Sequence, residues 1–159
     1  MSIRSTAKAI IIHQDKVLLN RCFDKHNGDY YSLPGGGQHT SETLHEAIIR
    51  ECLEETGCHV IPKKFVALCE EICEDPKIRE LYPEYIHKMY HIFLCELDGD
   101  LAKEPIEMDE MQIGSEWVDI ETLDKIRVLP AVLNENIGTL IRDQIPMFLG
   151  SEHISYNHG

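Results

Sequence analysis

Residues 36–58 constrain the fold of this chain most, because they place several acidic side chains at fixed offsets around one predicted helix. A helix repeats every ~3.6 residues, so Glu51, Glu54 and Glu55 lie in one narrow sector of its surface. Carboxylates at this spacing repel one another and cost the helix stability. A hard divalent cation such as Mg²⁺, which prefers oxygen ligands, would neutralise them. The stretch therefore predicts a helix that carries a site for a divalent metal and phosphate.

The same stretch contains signals for both ends of the helix. Thr43, followed by Glu46, has the pattern of a capping box, and Gly57 supplies a left-handed stop. These signals predict a helix over about residues 44–56. Its predicted apolar face consists of Leu44, Ala47, Ile48 and Cys52. The helix should therefore pack on a sheet and present its acids near the edge.

An acidic run on a helix is more often a solvated face, and Glu46 alone fits that interpretation. A solvated face, however, has no need of a glycine-rich loop immediately upstream, as found at residues 35–37. Nor does it need Arg50, which lies one turn before Glu54 and can hold a carboxylate in place. This context favours the metal site for the later glutamates.

The stretch also resembles the box of the Nudix hydrolases, G-x5-E-x7-R-E-U-x-E-E-x-G-U, in which U is an apolar residue. The two U positions hold Cys52 and Cys58, a mild departure because a thiol side chain behaves as a small buried hydrophobe. The preceding residues 31–37, YSLPGGG, look like the loop that leads into the helix in this family. Every fixed position of the box is filled, by Gly36, Glu42, Arg50, Glu51, Glu54, Glu55 and Gly57.

The resemblance implies an α/β protein with the Nudix fold, a mixed β-sheet sandwiched between α-helices. It also implies a hydrolase that uses Mg²⁺ or Mn²⁺ and cleaves a phosphoanhydride bond of a nucleoside diphosphate linked to another moiety. By resemblance, Glu51, Glu54, Glu55 and the backbone carbonyl near Gly35 would bind the metal. We expect these carboxylates to converge at the mouth of a cleft bounded by residues 35–37.

The remaining box residues have supporting or catalytic roles by the same resemblance. Gly36 and Glu42 would support the metal ligands without touching the ion, and Arg50 would orient the glutamates through its fixed fork geometry. The general base stays open between two candidates. Glu51 has the position in the box, whereas Glu110 lies in a later acidic loop from which it could reach the metal.

The substrate is not readable from the sequence. ADP-ribose enzymes of this family tend to carry a proline about sixteen residues after the box, and dinucleoside polyphosphate enzymes a tyrosine there. Pro76 and Tyr82 both lie further along than that. A nucleotide sugar or ADP-ribose-like compound and a nucleoside triphosphate therefore remain alternatives. The alternative of a different class is a non-catalytic Nudix module that senses nucleotides or binds proteins, although such modules usually lack some of the box acids.

Along the rest of the chain, β-branched and apolar runs alternate with turn signals and with two convincing helices. We predict one domain over residues 1–150 and a weakly structured C-terminal tail over residues 151–159. A charged, exposed connection is predicted over 74–84, and a helix start near Glu121. The predicted strands cover 8–13, 16–22, 64–73, 86–97 and 117–120, and the last helix covers 130–143.

Composition limits the partners and the cellular location that we expect for this protein. A formal charge of −13 with no basic stripe argues against binding of nucleic-acid polymers, whereas a small nucleotide bound through a metal is compatible with it. Six cysteines without a CxxC pair indicate reduced thiols. No apolar run has the length of a transmembrane helix or of a signal peptide, so we expect no membrane partner and a cytoplasmic protein. A homodimer is left open.

Overall fold

The computed structural model describes residues 2–99 and 111–158. In these ranges the strands form one mixed sheet with the order β8-β3-β2-β1-β6-β5-β9, while β4 pairs with β1 and β7 pairs with β2 beside that path. The strands are β1 (Arg4–His13), β2 (Lys16–Asp24), β3 (Gly28–Ser32), β4 (Gly35–Gly37), β5 (Val60–Cys73), β6 (His87–Leu97), β7 (Gln112–Asp119), β8 (Val128–Leu129) and β9 (Met147–Ile154). The helices are α1 (Leu44–Thr56), α2 (Pro76–Leu81) and α3 (Ala131–Asp143).

The first two predicted strands, over 8–13 and 16–22, are confirmed and form a hairpin. β1 and β2 are antiparallel, and His13 pairs with Lys16 across a two-residue turn. Both turn residues, Gln14 and Asp15, have positive φ angles of 50° and 62°. Such backbone twist matches that of the flanking strands. The hairpin is the centre of the sheet, because β1 also pairs with β6 in parallel.

Helix α1 begins and ends where the capping signals predict. Thr43 and Glu46 form the full capping box, and Gly57 closes the helix with a φ of 72°. Ala47, Ile48 and Cys52 are completely buried against one face of the sheet, together with Ala9 and Ile11 of β1 and further apolar residues. Alternate residues of β1 point to opposite faces, so Ile10 packs on the other side with α3. The sheet therefore lies between α1 and α3, as the Nudix resemblance predicts.

Three regions differ from the sequence predictions. The exposed connection over 74–84 contains α2 and the start of a 3₁₀ turn (Pro83–Tyr85), and the helix predicted near Glu121 is a short 3₁₀ helix, Ile120–Lys125. The predicted domain end at residue 150 falls inside β9, which pairs in parallel with β5 up to Cys73 and Ile154. Residues 151–154 thus belong to the sheet. No sequence pattern indicates this strand, because its side chains are half-buried or exposed and show no apolar alternation.

No helix within the described ranges is long and apolar enough to cross a bilayer. All six cysteines lie in these ranges as buried side chains, and none is joined in a disulfide. The thiols are therefore as the sequence predicts.

Candidate active site

Arg50 is the centre of the hydrogen-bonded network on α1. Its Nε donates to Glu42 Oε2 at 2.7 Å and its Nη2 donates to Glu42 Oε1 at 3.0 Å, a bidentate pair. Nη2 also donates to the carbonyl oxygen of Gly37 at 3.0 Å. The hydrogen bonds from Arg50 lower the pKa of Glu42 to about 2. Glu42 therefore remains ionised and fixes the guanidinium, which in turn ties the helix to the glycine loop.

The same guanidinium holds two further box glutamates. Arg50 Nη1 donates to Glu51 Oε1 at 2.9 Å and to Glu54 Oε2 at 3.4 Å. The side chains of Glu51 and Glu54 are 15% and 31% exposed, so both carboxylates remain reachable. Burial raises the pKa of Glu51, the ion pair with Arg50 opposes this, and the neighbouring charge of Glu54 adds to the rise. A further positive charge at this point would therefore be favourable.

Glu55 points into the protein instead. It is 3% exposed, and its Oε1 accepts hydrogen bonds from the backbone N–H of Gly35 at 2.8 Å and from Asn20 Nδ2 at 3.2 Å. Gln112 Nε2 extends this network to Asn20 Oδ1 at 3.2 Å and to the carbonyl oxygen of Glu55 at 3.1 Å. Glu55 thus fixes the glycine loop against α1. Sequence reasoning missed Asn20 and Gln112, although a polar asparagine inside the apolar run of β2 was a usable signal.

The expected convergence of three carboxylates is not seen. Within the described residues, no group of three or more His, Cys, Asp and Glu side chains is gathered closely enough to hold a metal ion. The reason lies in the partners just described: Arg50 holds Glu51 and Glu54, while Gly35 holds Glu55. The donor set nevertheless fits a hard cation, because two partly exposed carboxylates share one guanidinium nitrogen and offer oxygen atoms.

The loop at residues 35–37 needs glycine because neighbouring atoms lie too close to its backbone for a side chain. A Cβ atom at Gly35, whose φ is 139°, would lie 2.1 Å from the carbonyl oxygen of Ala7. A Cβ atom at Gly36 would lie 2.6 Å from the carboxyl carbon of Glu51. The loop therefore brings its backbone directly against β1 and against a box carboxylate. The carbonyl oxygen of Gly35, the expected fourth ligand, accepts a hydrogen bond from Lys8 Nζ at 3.2 Å.

A cleft of about 560 Å³ opens beside this loop. Glu51 and the glycine loop line one part of it, as expected from the sequence, which predicts a cleft bounded by residues 35–37. The rest comes from β1, β6, the region of α2 and the end of the chain, which the sequence did not predict. Among the described residues these include Arg4, Thr6, Lys8, Tyr82, Tyr85, Lys88, Tyr90, Tyr156, Asn157 and His158. The alternation of Arg4, Thr6 and Lys8 along β1 was a signal that could have revealed the second part.

The C-terminal segment is docked rather than loose. His158 Nε2 lies 2.7 Å from Glu71 Oε2, and both side chains are buried. Tyr90 donates its hydroxyl to Glu71 Oε1 at 2.6 Å. The ring of Tyr156 stacks on that of His26 at 4.2 Å and 7°. Residues 156–158 therefore form part of the cleft, whereas the sequence predicts a weakly structured tail over 151–159.

The remaining candidate residues lie elsewhere or outside the described ranges. Glu110 falls outside residues 2–99 and 111–158, so its place as a base candidate stays a prediction. Tyr31, the first residue of the loop that leads into the helix, donates its hydroxyl to Glu116 and does not line the described part of the cleft.

A mixed sheet between helices, with glutamates of one helix set against a glycine loop, is the fold of the Nudix hydrolases, which act on phosphoanhydride bonds. Residues 3–143 match the family model described as the NUDIX domain, and the chain belongs to this family. A search of curated proteins found no match.

Solved structures share the fold at low identity. The MutT protein of Bacillus halodurans superposes with a TM-score of 0.72 at 18% identity, covering 96% of this chain and 91% of that one. A NUDIX hydrolase from Nitrosomonas europaea gives a TM-score of 0.68 at 18% identity, with 92% and 94% coverage. An ADP-ribose pyrophosphatase from Streptococcus suis gives 0.59 at 18% identity, with 95% and 99% coverage. At these identities the likeness shows the fold alone.

Proposed function

We propose that this protein is a pyrophosphohydrolase that depends on Mg²⁺ or Mn²⁺ and acts on a nucleoside diphosphate linked to another moiety. The observation that carries this proposal is the placement of Glu51 in a cleft, 2.9 Å from Arg50, which also contacts Glu54. A phosphoanhydride needs positive charge at its oxygens and a positioned water, and a carboxylate-bound cation in a cleft provides both. Small nucleotides rather than polymers suit a cleft of this size.

Glu51 and Glu54 are the primary ligands in this proposal. Glu55 would contribute a carboxylate oxygen and Gly35 its backbone carbonyl oxygen. When bound, the cation would neutralise phosphate charge and lower the pKa of a water molecule. Arg50, fixed by Glu42, keeps Glu51 and Glu54 in position through its hydrogen bonds to both.

The proton of the attacking water goes to Glu51 or to Glu110. Glu51 is supported by its place in the cleft and by the rise in its pKa on burial, which makes the carboxylate a better proton acceptor. Glu110 is supported by its position in the acidic segment that precedes β7. We also propose a cytoplasmic location, which is supported by the buried thiols.

The test is a screen for metal-dependent hydrolysis of ADP-ribose, nucleotide sugars, dinucleoside polyphosphates and nucleoside triphosphates. We expect at least one of these to be cleaved with Mg²⁺ or Mn²⁺ and none with EDTA. Glu54→Gln should lose about 10²-fold or more in turnover, because it keeps the shape and removes the charge. Glu46→Gln is the matched control on the same helix, since glutamine preserves the capping box. Nucleotide binding without hydrolysis of any substrate would favour a non-catalytic sensor instead.

A further inference from the structure

The cleft contains a group of cationic side chains that the proposed hydrolytic reaction does not use. Arg4, Thr6 and Lys8 alternate along β1 and therefore share one face of the sheet. The parallel register with β6 places Lys88 beside Arg4 and Tyr90 beside Thr6. All five residues line the same cleft as Glu51. We refer to Arg4, Lys8 and Lys88 as the cationic floor.

The charges of the cationic floor are poorly neutralised by the protein. Lys8 and Lys88 are 8% and 7% exposed. Lys8 Nζ donates to the carbonyl oxygens of Leu33 at 3.3 Å and Gly35 at 3.2 Å, which are dipoles without net charge. The Arg4 guanidinium lies over the ring of Tyr85 at 4.7 Å. Within the described residues neither Arg4 nor Lys8 forms an ion pair with a carboxylate.

Lys88 has one carboxylate nearby, and that carboxylate is shared. Lys88 Nζ lies 3.9 Å from Glu71 Oε1, which already accepts the hydroxyl of Tyr90 at 2.6 Å. Burial lowers the pKa of Lys88; the charge of Glu71 opposes this, and the charges of Lys8 and Arg4 lower it further. Glu71 is the carboxylate that the described residues place within 4 Å of any of these three cations, and the Glu51 carboxylate interacts with Lys8 through its charge without forming an ion pair. The three cations therefore outnumber the carboxylates that face them.

A second observation points to a ligand at the same place. Thr6 is 4% exposed and lines the cleft, yet its hydroxyl oxygen has no hydrogen-bond partner. The amide oxygen of Asn157, also in the cleft, is buried without a partner as well. Buried polar atoms are nearly always hydrogen-bonded, so the Thr6 hydroxyl, which can donate to an anion, indicates an acceptor that a ligand supplies. The Asn157 oxygen can only accept, so it calls for a donor instead. In a chain with 28 acidic and 15 basic residues, composition does not account for three cations in one cleft.

We propose that the cationic floor, with the Thr6 hydroxyl, is an anion subsite that binds a terminal phosphate group carried by the substrate beyond the scissile phosphoanhydride. A terminal phosphate group carries about −1.5 to −2 charge at neutral pH, which complements these cations. Its oxygens accept from Arg4 and Lys88 and from the unpartnered hydroxyl of Thr6. This inference rests on the proposed function, and it favours substrates with a terminal phosphate, such as nucleoside triphosphates, over those that end in an uncharged sugar.

The subsite can be tested by binding alone, with inorganic phosphate as the probe. In EDTA and at constant ionic strength, phosphate should raise the thermal unfolding temperature of the wild-type protein. Arg4→Gln should weaken phosphate binding by about tenfold or more, because a charge-assisted hydrogen bond is lost. Arg4 is half-buried, so this variant should fold. Lys88→Met should have a similar effect, whereas Lys63→Met, a charge loss at a side chain that is 50% exposed, should keep the wild-type shift.

Equal phosphate shifts in wild type, Arg4→Gln and Lys88→Met would overturn the subsite. So would an equal loss of the shift in Lys63→Met, since binding would then follow net charge alone. These measurements need no hydrolysis. If none of the substrates in the screen were hydrolysed, the proposed function would be wrong, and the phosphate-binding measurements would still test the subsite.

A second measurement addresses selectivity. We expect the wild-type ratio of kcat/KM for a nucleoside triphosphate over a nucleotide sugar with the same base to fall by about tenfold in Arg4→Gln, mainly through KM. Equal losses on both substrates, or a wild-type preference for the nucleotide sugar, would contradict the proposal.

Discussion

The two sides of the cleft differ in how they are encoded. One side, formed by α1 and the glycine loop, is acidic and comes from one continuous stretch of about twenty residues. The other side, formed by the cationic floor and residues 156–158, is assembled from three distant segments by strand pairing and by docking of the chain end. The acidic side is held by hydrogen bonds within this stretch, to which Asn20 of β2 and Gln112 of β7 add contacts with Glu55. The cationic side depends on the register of β1 with β6, which no local pattern determines.

The largest expected effect concerns the acidic side and separates the two base candidates. Glu51→Gln should weaken Mn²⁺ binding and lower turnover, because it removes a ligand carboxylate. A loss of about 10² to 10⁴-fold in turnover that persists at saturating Mn²⁺ would make Glu51 the general base as well, whereas a smaller loss would move the base to Glu110. The measurement is turnover at saturating metal together with a Mn²⁺ binding titration. Wild-type turnover in this variant would contradict both roles.

The loop that joins the two sides should tolerate substitution least. Gly35→Ala should lower the free energy of unfolding by about 3 kcal/mol, because its Cβ would meet the backbone of Ala7 at 2.1 Å and its φ is 139°. Gly28→Ala is the matched control, since its φ is 71° but nothing lies within 4 Å of the added atom. It should cost only about 1 kcal/mol. Urea unfolding of both variants measures the difference, and equal costs would show that the close approach at Gly35 is unimportant.

On the cationic side, we expect Glu71 to anchor the chain end. Burial alone would raise the pKa of Glu71, but His158, Lys88 and Tyr90 outweigh it and hold the pKa below 4.5. A lowered pKa stabilises the fold above the ordinary value, and this contribution is lost as the pH falls through the lowered one. Glu71→Gln should therefore cost about 2 kcal/mol at neutral pH, since Lys88 loses its counter-charge while Tyr90 keeps an acceptor.

The pH dependence of the unfolding free energy tests the role of Glu71 independently of the cost of the substitution at neutral pH. Urea unfolding between about pH 3 and about pH 6 should show a shallower loss of stability in Glu71→Gln than in the wild type. Identical slopes would mean that Glu71 titrates normally. If Glu71→Gln had the same free energy of unfolding as the wild type at neutral pH, the contact of Glu71 with His158 would not hold the chain end.

The smallest effect is a displacement within the acidic side. Gly36→Ala should lower turnover by about tenfold, or ~1.4 kcal/mol in the barrier, because the added Cβ lies 2.6 Å from the carboxyl carbon of Glu51. The carboxylate is the flexible end of a side chain, so it can move and stability should change little. Turnover and urea unfolding together test this. If Gly36→Ala lost much stability but kept normal turnover, the added Cβ would strain the backbone rather than displace the Glu51 carboxylate.

The comparison also explains what could be predicted from the sequence. The box helix followed from its capping residues and spacing, and the hairpin followed from two apolar runs around Gln14 and Asp15. β9 did not, because its pairing with β5 depends on backbone hydrogen bonds and half-exposed side chains rather than on a periodic pattern. The inward position of Glu55 was also missed, since helical spacing gives the sector of a side chain but not the partner, here Gly35, that turns it into the core.

The central claim is that the acidic side holds a divalent cation through Glu51 and Glu54. The most direct measurement is a Mn²⁺ binding titration of the wild-type protein, Glu54→Gln and Glu46→Gln without substrate. Loss of one ligand carboxylate should weaken Mn²⁺ binding in Glu54→Gln by about tenfold or more, while Glu46→Gln binds as the wild type does. Mn²⁺ binding of equal affinity in all three proteins would contradict the claim.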